Sequence, residues 1–168
     1  MQVNSINNTT FGAKLDVSGM TTNKARWKNI ARIFEEKTKN NKDGLVELWN
    51  AKSTLGGRLY INCIPIVNEK ADELYLEGTK SVADNLLKLS DEKVAGKFAK
   101  LFKTAEKLVK DKFKAIDFVD KFSTKYKNVK DEDVIFETIY SPMIDIFLEN
   151  AKQKVAKDSI FRNCRVLF

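Results

Sequence analysis

The longest helical pattern in this chain occupies residues 90–122, with the sequence SDEKVAGKFAKLFKTAEKLVKDKFKAIDFVDKF. Its apolar side chains follow one another at steps of three or four residues, which is the period of an α-helix and not of a strand. The stripe that they form consists of Val94, Phe98, Leu101, Phe102, Ala105, Leu108, Val109, Phe113, Ile116, Val119 and Phe122. Ser90, followed by Asp91 and Glu92, is typical of an N-cap and an acidic first turn. The pattern therefore predicts an amphipathic helix that starts at Ser90.

The opposite side of this pattern is basic. It carries Lys93, Lys97, Lys100, Lys103, Lys107, Lys110 and Lys114. Residues 91–130 contain twelve lysines and six acids, a net charge of +6, whereas the whole chain has a net charge of +7. Such a face can bind an acidic protein, nucleic-acid phosphates or an anionic membrane, and it can also serve only to keep an amphipathic helix in solution. We take these seven lysines as the candidate partner-binding face.

Lys112 falls on the apolar stripe of the same pattern. A charged side chain is rarely buried unless it is paired, so a lysine on the stripe disturbs the packing of a single long helix. We therefore predict a break at residues 110–112, which would divide the pattern between two helices.

A second basic helix is predicted in the first half of the chain. After a short strand at residues 11–17, Thr21 or Thr22 opens a helix that is stopped by residues 40–44, NNKDG. Its expected apolar stripe consists of Ala25, Ile30, Ile33 and Phe34, extended by Trp27. Its opposite face supplies a candidate second basic patch, which consists of Lys24, Lys28 and Arg32.

Residues 45–51 and 58–66 have the composition of two strands joined as a hairpin. The side chains expected to share the core-facing side of the second strand are Leu59, Ile61 and Cys63. Trp49 is expected on the core-facing side of the first strand. Residues 71–77 fit either a third strand or the start of a helix.

From residue 81 onward the patterns predict only helices, at residues 81–89, 90–122 and 131–138, and then from Ser141-Pro142. The stripe of this last helix, which we expect to dock on the apolar stripe of residues 90–122, consists of Ile144, Phe147, Ala151 and Val155. The apolar residues that follow it predict a packed C-terminal tail made of Ile160, Phe161, Val166, Leu167 and Phe168.

Together these patterns predict an α+β fold: a small antiparallel sheet with one N-terminal helix, followed by a mostly helical C-terminal half. A chain of 168 residues is typical of one domain with its own hydrophobic core. We expect a single domain over residues 1–168, with a soft boundary near residue 78 between a mixed α/β half (1–78) and a helical half (79–168).

The absence of histidine from the sequence excludes many catalytic arrangements at once. Ser-His-Asp and Cys-His sites, histidine metal ligands and histidine acid–base chemistry all need that side chain. Asp145 and Glu149 lie one helical turn apart, but no second carboxylate motif accompanies them. The acids of residues 131–133 are typical of the first turn of a helix. We therefore expect no catalytic residue, no metal site and no cofactor; an enzyme that uses carboxylates or lysine stays an alternative.

Cys63 and Cys164 are far apart in the sequence and form no CxxC pair, which argues against zinc and thioredoxin-type sites. Free thiols are the expectation for a reducing cytoplasm, although one long-range disulfide stays open. The first residues show no basic segment followed by an apolar one, and no apolar run approaches the roughly 20 residues of a membrane span. We therefore expect a cytoplasmic protein without a transmembrane segment.

Residues 11–39, FGAKLDVSGMTTNKARWKNIARIFEEKTK, resemble the opening of small proteins of unknown function that are encoded by gut bacteria. The later stretch LSDEKVAGKF, at residues 89–98, resembles the same group. This resemblance implies a bacterial source and implies no activity or site residue.

These observations predict a non-catalytic interaction module that meets an acidic protein partner through the seven lysines of residues 93–114. The second patch on the earlier helix is a candidate extension of that surface. The first alternative is a nucleic-acid-binding protein that contacts phosphates through the same face. Binding to a membrane surface stays a further alternative.

Overall fold

The computed structural model of this chain describes residues 12–40, 43–51, 57–125 and 139–168. Within them the chain forms six strands and four helices. In chain order these are β1 Ala13–Gly19, α1 Lys24–Thr38, β2 Gly44–Asn50, β3 Leu59–Val67, β4 Lys70–Ala71, β5 Leu74–Gly78, α2 Lys80–Leu87, α3 Asp91–Lys125, α4 Ser141–Val155 and β6 Arg165–Leu167. The predicted α+β fold class is confirmed. The helix predicted at residues 131–138 lies outside the described residues.

The strands form one sheet in the order β1-β2-β3-β5-β6, and the short β4 pairs with β3. Strands β1 and β2 pair in parallel, with Ala13 opposite Gly44, and the other pairs are antiparallel. Helix α1 connects β1 to β2, and a helical crossover brings the second strand back in the direction of the first. The sheet is therefore mixed, and the prediction of a purely antiparallel sheet was wrong for this pair.

The hydrophobic core lies between one face of the sheet and the helices α1 and α3. Strand β3 alternates between buried and more exposed residues, and its buried side includes the predicted Leu59, Ile61 and Cys63. Helix α1 buries Trp27, Ile30, Ala31, Phe34 and Thr38. Ala25 was expected on this stripe but is exposed, because it precedes Trp27 by two residues and so lies about 200° around the helix from it.

Helix α3 packs tightly on the sheet at Gly44, the first residue of β2. A Cβ atom built on Gly44 would lie 2.5 Å from Cζ of Phe102 and 2.9 Å from the carbonyl oxygen of Ile64. Phe102 itself is fully buried. The helix can rest on the sheet at this point because residue 44 has no side chain.

Helix α3 is continuous from Asp91 to Lys125, so the predicted break at residues 110–112 was wrong. Lys112 does point toward the core side, but its ammonium group is paired. Its Nζ lies 2.8 Å from Oδ2 of Asp72, in the segment between β4 and β5, and 4.6 Å from the centre of the Phe168 ring. A lysine can bury its stem when its charged end finds such partners, so the helix is not interrupted.

The start of α3 is fixed by α1. The guanidinium group of Arg26 donates hydrogen bonds to the carboxylate of Asp91 and to the carbonyl oxygens of Leu87 and Leu89. Asn29 donates to the other carboxylate oxygen of Asp91 at 2.8 Å. The hydrogen bonds from Asn29 and Arg26 lower the pKa of Asp91. These contacts set the direction in which the lysines of α3 project.

The C-terminal tail is packed, as predicted, but it is not helical. Strand β6 pairs with β5 at the edge of the sheet, with Val166 opposite Leu76. Phe161 and Val166 are buried. The expectation that residues after 81 form only helices was therefore wrong, because three residues of alternating burial are too short for their period to be recognised in the sequence.

Trp49 lies on the outer face of the sheet, so its predicted core position was also wrong. The core side of β2 is occupied by Val46 and Leu48, and Trp49 follows them with the opposite orientation. Its ring stacks on Tyr60 of β3 at a centroid distance of 5.4 Å and meets Tyr75 of β5 at 6.0 Å. Cross-strand stacking on the outer face explains how a large aromatic side chain is accommodated there.

Candidate functional site

The predicted lysine face lies on the side of α3 that is turned away from the sheet. Its exposed members are Lys93, Lys100, Lys103, Lys107 and Lys114. The other two, Lys97 and Lys110, are half-buried and paired: Lys97 with Asp158 at 2.9 Å and Lys110 with Glu106 at 3.3 Å. The apolar stripe on the opposite side of α3 is buried as predicted from Val94 to Val109. The face predicted from the sequence thus divides into five exposed lysines and two half-buried lysines that pair with carboxylates.

Helix α4 packs beside α3, and two lysines join this face there: Lys154 in the last turn of α4 and Lys157 in the turn that follows it. Lys154 and Lys157, together with Lys103, Thr104 and Lys107 of α3, line an open groove of about 290 Å³. An adjoining groove of about 260 Å³ shares Thr104, Lys154 and Lys157 and reaches Lys97 and Lys100. We call the combined feature the lysine groove, and define it by Lys100, Lys103, Thr104, Lys107, Lys154 and Lys157.

Sequence reasoning missed Lys154 and Lys157. The basic composition of residues 152–157, KQKVAK, is visible in the sequence. The sequence does not show that these residues lie beside Lys103 and Lys107 of α3. The prediction that α4 docks on α3 placed its apolar stripe correctly at Ala151 and Val155, which are buried. Ile144, at the other end of that stripe, is exposed.

The lysine groove holds more positive than negative charge. Asp158 is the acid at its edge, and its Oδ2 pairs with Lys97, while its Oδ1 accepts the backbone N–H of Ile160 at 3.0 Å. In the described part of the chain, none of the five lysines of the groove has a carboxylate within 4.0 Å. The groove is therefore a concentrated region of positive potential.

The floor beside Lys97 and Lys100 is apolar. Leu101, Val155 and Phe161 line it, and all three are buried in the fold. Apolar walls exclude part of the water that would screen the charges, so an anion in the groove interacts more strongly than one on a flat surface. The Lys97–Asp158 pair joins the end of α4 to α3 and holds the two sides of the groove in place.

None of the residues of the second predicted patch lines this groove. Lys24, Lys28 and Arg32 are exposed on α1. Helix α1 meets the first turn of α3 through Arg26 and Asn29, and both Lys24 and Lys28 lie on the side of α1 away from these contacts. Arg32 is also partly neutralised by Glu36 at 3.1 Å.

The acidic candidates do not form a site. Asp145 and Glu149 are both exposed on α4, and residues 131–133 lie outside the described residues. Over the ranges that the structure describes, no three carboxylate or thiol groups come together as metal ligands. None of the helices in that same part of the chain has both the length and the hydrophobicity needed to cross a bilayer.

The two cysteines are free thiols, which resolves the question of a long-range disulfide. Burial raises the pKa of Cys63 to about 12 and the pKa of Cys164 to about 11. A thiol with such a pKa is almost entirely protonated at neutral pH, and the thiolate is the reactive form. Neither cysteine is therefore suited to act as a nucleophile.

The outer face of the sheet carries a cluster of three aromatic side chains, Trp49, Tyr60 and Tyr75. Their ring centres lie 5.4 to 6.2 Å apart, and the planes of neighbouring rings differ by 16° to 40°. Because the faces of the rings are turned toward one another, most of the surface that could stack on a base is already used. The cluster therefore stabilises the sheet and does not form an open stacking platform.

Comparison of the chain with protein-family models, with curated proteins and with solved structures gives no match. The geometry and charge of the lysine groove and the α3 face are therefore the features of the molecule that indicate its function.

Proposed function

We propose that this chain is a non-catalytic cytoplasmic protein that binds an acidic protein partner through the lysine face of α3, extended by Lys154 of α4 and by Lys157 in the turn after it. The observation that carries the proposal is the set of five lysines in the groove that have no carboxylate partner in the described residues. The chain's net charge of +7 adds to the attraction.

Positive charges held close together repel one another, and an anionic partner relieves that repulsion when it binds. Charge complementarity of this kind raises the association rate and selects acidic partners over basic ones. Each exposed pair contributes only a small free energy on its own, so several lysines must act together. The α3 face meets this requirement because five of its lysines are exposed on one side of a single rigid helix.

The length of the face indicates the kind of partner. Lys93 and Lys114 are 21 residues apart on a continuous helix, which corresponds to roughly 32 Å at about 1.5 Å per residue. A surface of this length fits an acidic helix or an extended acidic segment better than it fits one small ion. The uninterrupted course of α3 past Lys112 makes such a long face available.

The test compares two triple charge reversals. The face variant carries Lys100→Glu, Lys107→Glu and Lys114→Glu, and the control variant carries Lys24→Glu, Lys28→Glu and Lys80→Glu. Both sets are exposed and change the net charge equally. We expect acidic proteins to be captured from lysate by the natural chain and by the control variant, and to be lost with the face variant. Identical sets of captured proteins for all three chains would refute the proposal.

The alternative function is binding of single-stranded nucleic acid through the same lysines, and one observation favours it. Phe118 is 71% exposed on α3, one turn after Lys114. An exposed ring beside lysines can stack on a base while the lysines contact phosphates.

Fluorescence anisotropy with mixed-sequence DNA and RNA over a salt series separates the two functions. Nucleic-acid binding predicts tight binding at low salt, a log–log slope of several units against salt, and weaker binding by Phe118→Ala. No binding at low salt would remove this alternative and leave the acidic protein partner.

A further inference from the structure

The lysine groove differs from the rest of the α3 face because it is concave and is built from α3, the last turn of α4 and the turn that follows α4. Lys93 and Lys114 lie on α3 outside it. Inside it, Lys103 and Lys107 of α3 line a volume of about 290 Å³ together with Lys154 of α4 and Lys157 of the turn after α4. This is at the low end of small-ligand sites, which span roughly 300–1,000 Å³. The groove therefore suits a few compact anionic groups rather than a long flat acidic surface.

The positive charge of the groove lysines is larger than the negative charge that two or three carboxylates would bring. Six lysines line the two adjoining grooves, and the one acid among the described residues that line them, Asp158, is paired with Lys97. The five lysines that define the lysine groove are thus left without a carboxylate partner in the described residues. A carboxylate brings a single negative charge, whereas a phosphorylated side chain carries about −1.5 to −2 at pH 7 and has three strong acceptor oxygens. Two or three phosphates would balance the groove where the same number of carboxylates would leave it positive.

The donors that line the groove also match phosphate. A lysine ammonium group has three donors on a flexible stem and binds phosphate as a point charge. Thr104, placed between the two sets of lysines, adds a hydroxyl group that can donate to a phosphate oxygen. The apolar floor of Leu101, Val155 and Phe161 lies in the part of the groove that Lys100, Lys154 and Lys157 line, and it strengthens the interactions made there.

We propose that the lysine groove binds a segment of the protein partner that carries clustered phosphates, so that phosphorylation of the partner controls its binding. This inference rests on the proposed function, because it names the part of the acidic partner that the groove recognises. The long α3 face then contacts the acidic residues around the phosphorylated segment.

The test uses three synthetic peptides of one acidic sequence, in which three adjacent positions are phosphoserine, glutamate or serine. Binding is measured by fluorescence anisotropy at fixed salt, because all of these affinities depend on ionic strength. We expect the phosphoserine peptide to bind the natural chain about tenfold more tightly than the glutamate peptide, since charge-assisted hydrogen bonds to phosphate are the stronger ones. The affinity ratio of these two peptides reports on the groove.

Two double variants, each of which loses two positive charges, locate the effect. Lys154→Gln with Lys157→Gln changes the groove, and Lys93→Gln with Lys114→Gln changes the α3 face outside it. The described residues show no ion pair for any of these four lysines, so folding should be preserved. We expect the groove variant to bring the phosphoserine-to-glutamate ratio close to one, and the outer variant to weaken both peptides while the ratio is kept.

The outcomes separate this inference from the proposed function. If the glutamate peptide binds the natural chain as tightly as the phosphoserine peptide, the inference is wrong and the acidic partner stands. If neither peptide binds, the proposed function itself is wrong. A ratio that survives in the groove variant would place phosphate recognition elsewhere and overturn the inference. Inorganic tripolyphosphate that binds as tightly as the phosphopeptide would overturn the protein source of the phosphates.

Discussion

Gly44→Ala tests the close packing of α3 on the sheet. The new Cβ would lie 2.5 Å from Cζ of Phe102 and 2.9 Å from the carbonyl oxygen of Ile64, and neither neighbour can easily move. Phe102 is 1% exposed and lies within the core, and Ile64 O belongs to the β2–β3 pair. Overpacking of a close-packed core costs about 1–3 kcal/mol. With two rigid neighbours we expect the upper part of that range, about 2–3 kcal/mol.

Urea unfolding, followed by the fluorescence of Trp27 and Trp49, measures this loss. Thermal unfolding gives a second measure. A loss of 1 kcal/mol lowers the melting temperature of a chain of this size by about 2–4 °C, so the melting temperature of Gly44→Ala should fall by roughly 4–12 °C. Gly96→Ala is the matched control, because Gly96 lies in α3 and the added Cβ meets nothing within 4 Å beyond its chain neighbours and the backbone of its own helix. Alanine is the better helix former, so this variant should gain about 0.5–1 kcal/mol.

A double variant makes the test specific. Phe102→Leu removes the ring that the new methyl group would meet. The double variant should therefore lose less free energy of unfolding than the sum of the losses in the two single variants. If Gly44→Ala were as stable as the natural chain, Phe102 could not lie on Gly44, and the placement of α3 over β2 would be refuted.

Three further predictions concern a turn, a carboxylate and the thiols. Asn68 and Glu69 form the turn between β3 and β4 with φ of +52° and +64°, so Glu69→Gly should stabilise the chain by about 0.5–1 kcal/mol in urea unfolding, and a loss of stability would contradict the left-handed turn. The pKa of Asp91 is lowered from 3.8 by the hydrogen bonds from Asn29 and Arg26, so its stabilising contribution is complete above about pH 4 and is lost as the pH falls through the folded pKa. Asp91→Asn should accordingly be less stable than the natural chain at pH 7, and the difference should shrink at pH 3; a difference that does not depend on pH would refute this role. Because both thiols have a raised pKa, a thiol reagent at pH 8 should react with the native chain much more slowly than with the urea-unfolded chain, in which two thiols should be found. Fewer than two thiols after unfolding would mean a disulfide.

The sequence predicted elements that have a long and regular period. The apolar stripe of α3 could be recognised because its residues repeat every three or four positions over many turns, and Phe98 and Phe102 are buried as this repeat requires. Lys112 showed the limit of the same reasoning. A stripe records which side of a helix faces inward, but it does not record that Asp72 and Phe168, far away in the sequence, supply partners for a charge on that side.

The sequence did not predict which side of β2 faces the core, for a related reason. The hydrophobicity of Trp49 led to the prediction that it lies in the core. In the structure Val46 and Leu48 occupy the core side of the strand, so the alternation of side chains turns Trp49 outward. An aromatic side chain on an outer face depends on cross-strand neighbours, here Tyr60 and Tyr75, and the pairing register that brings them together is a tertiary property.

The candidate site was only half predictable. Seven lysines on one side of a helix can be counted in a sequence, but the groove exists because α4 returns beside α3 and brings Lys154 and Lys157 opposite Lys103 and Lys107. Their meeting depends on the docking of two amphipathic helices and on the Lys97–Asp158 pair, and neither the angle of that docking nor the pair is encoded in a local pattern.

The pairing of β6 with β5 has a consequence for the order in which the molecule assembles. Tyr75 and Leu167 face each other in the sheet although they are 92 residues apart in the sequence. During synthesis the edge of β5 stays without this neighbour until α2, α3 and α4 have all been made, and an unpaired strand edge is a site at which chains aggregate. Contacts between such distant residues also slow folding, because a long loop must close first. The sheet is therefore completed only when β6 pairs with β5, after all the helices between these two strands have been synthesised.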